Sequence, residues 1–213
     1  PISDGDSPKS SGSPSDAQLD INTQHTTLNR LLWLLLPACA SVLLLATTNK
    51  LCQDTTVIPF LWVLPLALYL LSFIICFDNP RWYARLPFAL ALIAALAGLA
   101  WIMARGNDKL LWRLLTIYGG GLFVCCMVCH GELYRLKPAP RQLTAFYLMI
   151  AVGGALGGLF VAVAAPLMFK GYRELQWGLL GCGLLFLLVC VRDWRAARDA
   201  AGAAARPDWR GWA

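Results

Sequence analysis

Apolar residues fall into six long runs separated by short polar connections, spanning roughly residues 31–48, 59–77, 86–104, 112–131, 145–169 and 175–191. Each run approaches the ~20 residues that a helix needs to cross the hydrocarbon core of a bilayer. A backbone in lipid must satisfy its own hydrogen bonds, so runs of this length predict helices. The alternating ten-residue segments of a transmembrane barrel are absent. The expected fold class is therefore all-α: a polytopic membrane helix bundle of about six transmembrane helices. The breaks agree with it. "NKLCQDTTVIP", "DNPRWYARLP", "RGNDK", "YRLKPAPRQ" and "KGYRE" concentrate the Pro, Gly and charged residues that end helices. Three parts follow: a flexible polar N-terminal tail (1–29), a six-helix transmembrane domain (30–192) and a short basic C-terminal tail (193–213). The first of these opens "PISDGDSPKSSGSPSD", which has almost nothing apolar to bury.

Composition strengthens the membrane assignment. Hydrophobic residues make up 58% of the chain and charged ones 14%, with mean hydropathy +0.59. A soluble domain carries about 25% charged residues. Trp33, Trp62, Trp101, Trp112, Trp177 and Trp194 lie close to the ends of runs, and Trp82 lies in a connection, as an interfacial aromatic belt requires. Six crossings put both termini on one side. That side holds twelve of the 18 Lys and Arg and the other six, so the positive-inside rule places both termini in the cytoplasm. The net charge of +6 then reflects topology. A nucleic-acid partner would need a basic, aromatic-interleaved soluble surface, which this sequence lacks.

The most conspicuous candidate chemistry is "VCCMVCHGELYRL" (124–136). Cys126, Cys129 and His130 have the C-x-x-C-H spacing of a c-type haem site. They end the fourth crossing on the cytoplasmic side, inside a helix, whereas haem attachment needs an accessible segment on the outer face. No haem and no other cofactor is expected. A metal is the next alternative, because Cys126, Cys129 and His130 at i, i+3 and i+4 share a helix face. Structural zinc wants four ligands, however, and the other histidine, His25, is in the tail. The blander alternative treats the eight cysteines as small, soft packing residues. His130 and Glu132 remain candidate functional residues, because ionisable groups at membrane depth are costly. Glu132 also pairs with Arg135 three residues on. Asn49, Lys50 and Asp54 form a second candidate group at the other end of the membrane.

"YGGGLF" (118–123) and "AVGGALGGLF" (151–160) look like phosphate-binding loops but lie inside predicted membrane helices, with no strand before them. Gly153 with Gly157, and Gly154 with Gly158, instead form overlapping small-xxx-small pairs that bring helices together. Pro37, Pro65 and Pro166 lie within crossings and are expected to kink them.

Two stretches, 31–77 and 128–169, carry a family likeness. The matching features are Asp54, Ile58-Pro59, Leu61-Trp62-Val63, Pro65-Leu66-Ala67-Leu68-Tyr69, Cys129-His130-Gly131-Glu132-Leu133, Leu143-Thr144, Phe146-Tyr147 and Gly153-Gly154. Over about residues 28–190 the chain resembles the membrane region of bacterial fused spermidine synthase-like proteins. The resemblance implies a bacterial cytoplasmic membrane and a soluble aminopropyltransferase-like domain after the membrane part. These 213 residues hold no such domain, so spermidine synthase activity is not expected of them. The function expected is a non-catalytic membrane scaffold or accessory subunit, partnered by lipid and by other membrane proteins or a second copy of itself. The alternatives are a small-solute transporter, with a polyamine as one candidate, and the membrane domain of a spermidine synthase-like protein.

Overall fold

A computed structural model describes residues 14–54, 61–105, 111–168 and 174–204. Every regular element among them is helical: α1 (Pro14–Asp54), α2 (Val63–Asp78), α3 (Arg85–Arg105), α4 (Leu111–Arg135), α5 (Leu143–Leu159), α6 (Ala165–Met168) and α7 (Glu174–Ala204), with single 3-10 turns at Pro80–Trp82 and Pro140–Gln142. A π-helical turn, Phe160–Ala164, joins α5 to α6 in one continuous rod, so the chain forms six rods in up-and-down order. Five are long and apolar enough to cross a membrane: Thr27–Cys52, Arg85–Ala104, Trp112–Arg135, Pro140–Met168 and Glu174–Arg198. The remaining rod, α2, is apolar but has 16 residues, about 24 Å at 1.5 Å per residue. It begins four residues later than the predicted second run, and residues 55–60 lie outside the described part.

The predicted boundaries of the tails differ from the helices. The backbone is helical from Pro14, within the stretch read as a flexible tail, and helical again to Ala204, past residue 192. Residues 1–13 and 205–213 lie outside the described part.

Proline acts unevenly. Pro166 lacks the N–H that a regular helix would direct four residues back, and the rod widens to π geometry just ahead of it, with Ala165 N–H bonded to the Phe160 carbonyl. Pro65 is the third residue of α2, where the N–H has no intrahelical partner in any case, so the expected kink is not needed there. α1 continues through Pro37 as one helix.

Two helices form the inside. Of the most apolar stretch of each, 67% of α4 and 50% of α1 are buried within the protein, against 17% of α3. α1 packs on α4, α5 and α7, and α4 also packs on α2 and α3. The α1–α5 contact is the closest. A side chain at Gly153 would strike the backbone carbonyl of Leu34, and one at Gly157 that of Ala38. Glycines four apart on α5 thus meet carbonyls four apart on α1. This is helix packing by backbone approach, which suits a bilayer because lipid tails are as apolar as leucine. Gly154 does not join this contact, since among the described residues nothing lies within 4 Å of a Cβ built there, and at Gly158 the nearest atom, Leu45 Cδ1, is at an ordinary 3.7 Å. One pair meets the α1 backbone; of the other, Gly158 reaches α1 side chains only at ordinary contact distance and Gly154 does not reach it.

The tryptophans also divide. Trp62, Trp82, Trp101, Trp112, Trp177 and Trp194 are exposed on the protein surface, whereas Trp33 is 5% exposed. Trp33 leaves the predicted belt for the core. Its ring meets Phe146 edge-on at 5.3 Å, and its Nε1–H donates to the Leu136 carbonyl at 3.0 Å.

Candidate functional site

The end of α4 holds the candidate site, and glycine makes it possible. Gly131 lies flat against the ring of Tyr83, in the connection between α2 and α3; a Cβ at Gly131 would enter that ring. The ring therefore lies directly over the helix, and the Tyr83 hydroxyl donates to Glu132 Oε1 at 2.8 Å. Burial pushes the Tyr83 pKa up, and the neighbouring Glu132 carboxylate pushes it further, so the phenol remains a donor.

Glu132 is 1% exposed. Arg85, the first residue of α3, grips it from the other side. Nη2 donates to Oε2 at 3.1 Å, and Nε lies 2.9 Å from Oε1, an ionic contact whose N–H is not aimed for a hydrogen bond. Arg85 Nη1 donates to Asp193 Oδ2 on α7 at 2.8 Å. Arg135, at 3.8 Å from Glu132 and 3.6 Å from Asp193, and Arg192, at 3.4 Å from Asp193, complete the cluster. Arg192 also donates to Asn29 Oδ1 of α1 at 2.7 Å. Charge-assisted contacts thus join α1, α3, α4 and α7 at one end of the bundle. The guanidinium fork of Arg85 suits this position because it can face two carboxylates at once.

His130, one residue earlier, faces a different neighbour. It is 1% exposed and packs edge-on against Tyr69 and Phe73 of α2, at 5.0 and 5.3 Å between ring centroids. Ser72 Oγ donates its single proton to the Tyr69 carbonyl at 2.7 Å, so toward His130 it accepts, from Nδ1–H at 3.0 Å. In the neutral ring this assigns the free lone pair to Nε2, which is buried without a hydrogen-bond partner among the described residues.

Cys126, Cys129 and His130 therefore do not form one ligand set. His130 faces α2, whereas Cys129 faces α1 and α7, where its Sγ lies 3.8 Å from that of Cys182. Cys39 completes a different group: the sulfurs of Cys39, Cys129 and Cys182 all lie within 4.8 Å of one another. Asn49 and Lys50 are half-buried near the end of α1, at the opposite end of the bundle from Glu132. Asp54 ends α1, and its side chain lies outside the described residues.

Arg85, Asp193, Tyr83, Ser72 and Cys39 were missed in the sequence. Each lies more than 40 residues from its partner on α4. The one sequence signal was an arginine and an aspartate, Arg85 and Asp193, within two residues of a predicted run end, on the same side as Glu132.

Fold and site together define a multi-spanning helical membrane protein whose buried Glu132 is paired with arginine. Comparison with known proteins finds no matching family model, no matching curated protein and no matching solved structure.

Proposed function

We propose that the chain is a non-catalytic integral membrane module, a scaffold or accessory subunit of a larger assembly in a bacterial cytoplasmic membrane. The observation that carries this reading is the engagement of Glu132. An intramembrane carboxylate either lies on an ion pathway or pairs to hold helices together. This one is held by an arginine fork and a tyrosine hydroxyl, and through Arg85 it ties α4 to α3 and α7. Such a group fixes helix positions. The open surface at Gly154 supports the same reading, because a small residue there lets a further helix come close. The partner is another membrane protein or a second copy of the chain. The module is compatible with the membrane region of a spermidine synthase-like protein, which the motifs around Asp54 and Cys129–Leu133 resemble.

The second reading, transport of a small solute such as a polyamine, draws on polar groups at the far end: Asn49, Lys50 and Asp54 ending α1, and Glu174, 5% exposed, opening α7. Proteoliposomes separate the two. The module reading expects no saturable uptake of radiolabelled spermidine or putrescine by the purified chain. Saturable uptake that disappears in Asp54→Asn overturns it.

The arginine and lysine distribution supports a topology with both termini in the cytoplasm. In a Cys52→Ser background, Gly106→Cys, in the connection after α3, should react with a membrane-impermeant maleimide from the outer face only. Reaction from the cytoplasmic face only would invert the topology.

A further inference from the structure

We propose that Cys39, Cys129 and Cys182 form a buried three-sulfur site for a soft monovalent metal ion, Cu(I), held between α1, α4 and α7. This goes beyond the module reading and does not depend on it. The sulfurs come from three rods far apart in sequence, and the fold alone brings them together. Cys129 and Cys182 are 3.8 Å apart, and all three sulfurs lie within 4.8 Å. Metal–thiolate bonds of about 2.3 Å in a trigonal plane put the sulfurs about 4 Å apart. The triangle thus needs only a small contraction around an ion.

The donor set decides which ion. Three sulfurs exclude Mg²⁺ and Ca²⁺, which take oxygen ligands. Structural zinc is almost always four-coordinate, and among the described residues three ligand atoms meet here, with Cys125 beside Cys182 but outside the triangle. Soft thiolates select Cu(I), which is content with two or three sulfur ligands. One proton leaves for each thiol that becomes thiolate, with no change in the oxidation state of copper or sulfur.

Little holds the thiols otherwise. Cys39 donates to the Gly178 carbonyl at 3.6 Å and Cys182 to the Cys125 carbonyl at 4.0 Å, both long and weak. Glycine in α7 is what lets it approach α1. A Cβ at Gly178 would lie 3.1 Å from Leu43 Cδ2, and one at Gly181 3.9 Å from Cys39 Sγ. The ordinary role for such cysteines is soft packing, and the two roles differ in a direct measurement.

The full chain, purified in detergent with its thiols reduced, is titrated anaerobically with Cu(I) against a chromogenic Cu(I) chelator. One Cu(I) per chain should resist the chelator, with an X-ray absorption spectrum showing a sulfur-only shell at about 2.3 Å. Cys39→Ala, Cys129→Ala and Cys182→Ala should each weaken binding at least ~100-fold, beyond the 10–100-fold typical of losing a group that merely orients a ligand. Cys190→Ala and Cys52→Ala should leave it unchanged. Failure of the wild-type chain to retain Cu(I), a nitrogen or oxygen shell, or retention that depends on the exposed Cys52 alone would overturn the proposal. The wild-type spectrum decides even if an alanine variant fails to fold.

Discussion

Glu132→Gln should lower the stability of the folded bundle by about 2–3 kcal/mol, the largest loss expected from any change this small. Removing one member of a buried ion pair costs about 3–5 kcal/mol, because the partner stays behind uncompensated. Here the loss is trimmed, because the Arg85 side chain is 26% exposed and keeps its bond to Asp193. Tyr83 would then donate to an amide oxygen instead of a carboxylate, a weaker bond. Arg135→Gln sets the scale. That side chain is 45% exposed and 3.8 Å from Glu132, so its removal should cost under ~0.5 kcal/mol. Gly131→Ala should act through the same network, by lifting the Tyr83 ring off the helix. Thermal unfolding in a mild detergent reports all three. Arg85→Gln combined with Glu132→Gln should lose less than the sum of the two singles, as coupled groups do. Glu132→Gln within ~0.5 kcal/mol of wild type would mean that the ion cluster does not hold the helices.

The second large effect separates neighbouring glycines. Gly153→Ala should destabilise the chain by roughly 1–3 kcal/mol, the range for overpacking a close contact, and Gly157→Ala likewise. The obstacles are the Leu34 and Ala38 carbonyls, main-chain atoms that cannot rotate away, so α1 and α5 must separate. Gly154→Leu, one residue along the same helix, should leave the unfolding temperature of the isolated chain within a degree or two, because among the described residues nothing lies within 4 Å of a Cβ placed there. Equal destabilisation at Gly153 and Gly154 would contradict the assignment of faces.

The helices were legible in the sequence because lipid leaves a backbone so few choices: apolar run length alone predicts a crossing. Period and packing were less so. The overlapping glycine pairs announced a close contact, but pairs one residue apart on a helix differ by a rotation of about 100°, and only the partner's position selects Gly153 over Gly154. Trp33 shows the same limit. Closeness to a run end suggested an interfacial ring, but Phe146 and the Leu136 carbonyl, over 100 residues away in sequence, bury it. Glu132 and His130 were visible as ionisable groups at membrane depth. Their partners were not, because the arginine, tyrosine and serine that satisfy them come from other rods. The local i, i+3 pairing with Arg135 is present, yet it is the weakest contact Glu132 makes. The cysteine spacing misled in the same manner. Cys126, Cys129 and His130 are neighbours along α4, but His130 faces α2, whereas the sulfurs that meet Cys129 belong to α1 and α7.

In the proposed function, the module works by assembly through a face that its own fold leaves open. Native gel electrophoresis of mildly solubilised source membranes tests it most directly, with wild type and Gly154→Leu compared side by side. Wild type should migrate in a complex of defined size, larger than the detergent-bound chain alone, and Gly154→Leu should migrate as the free chain with its thermal stability intact. Migration of both as the same free chain would contradict it.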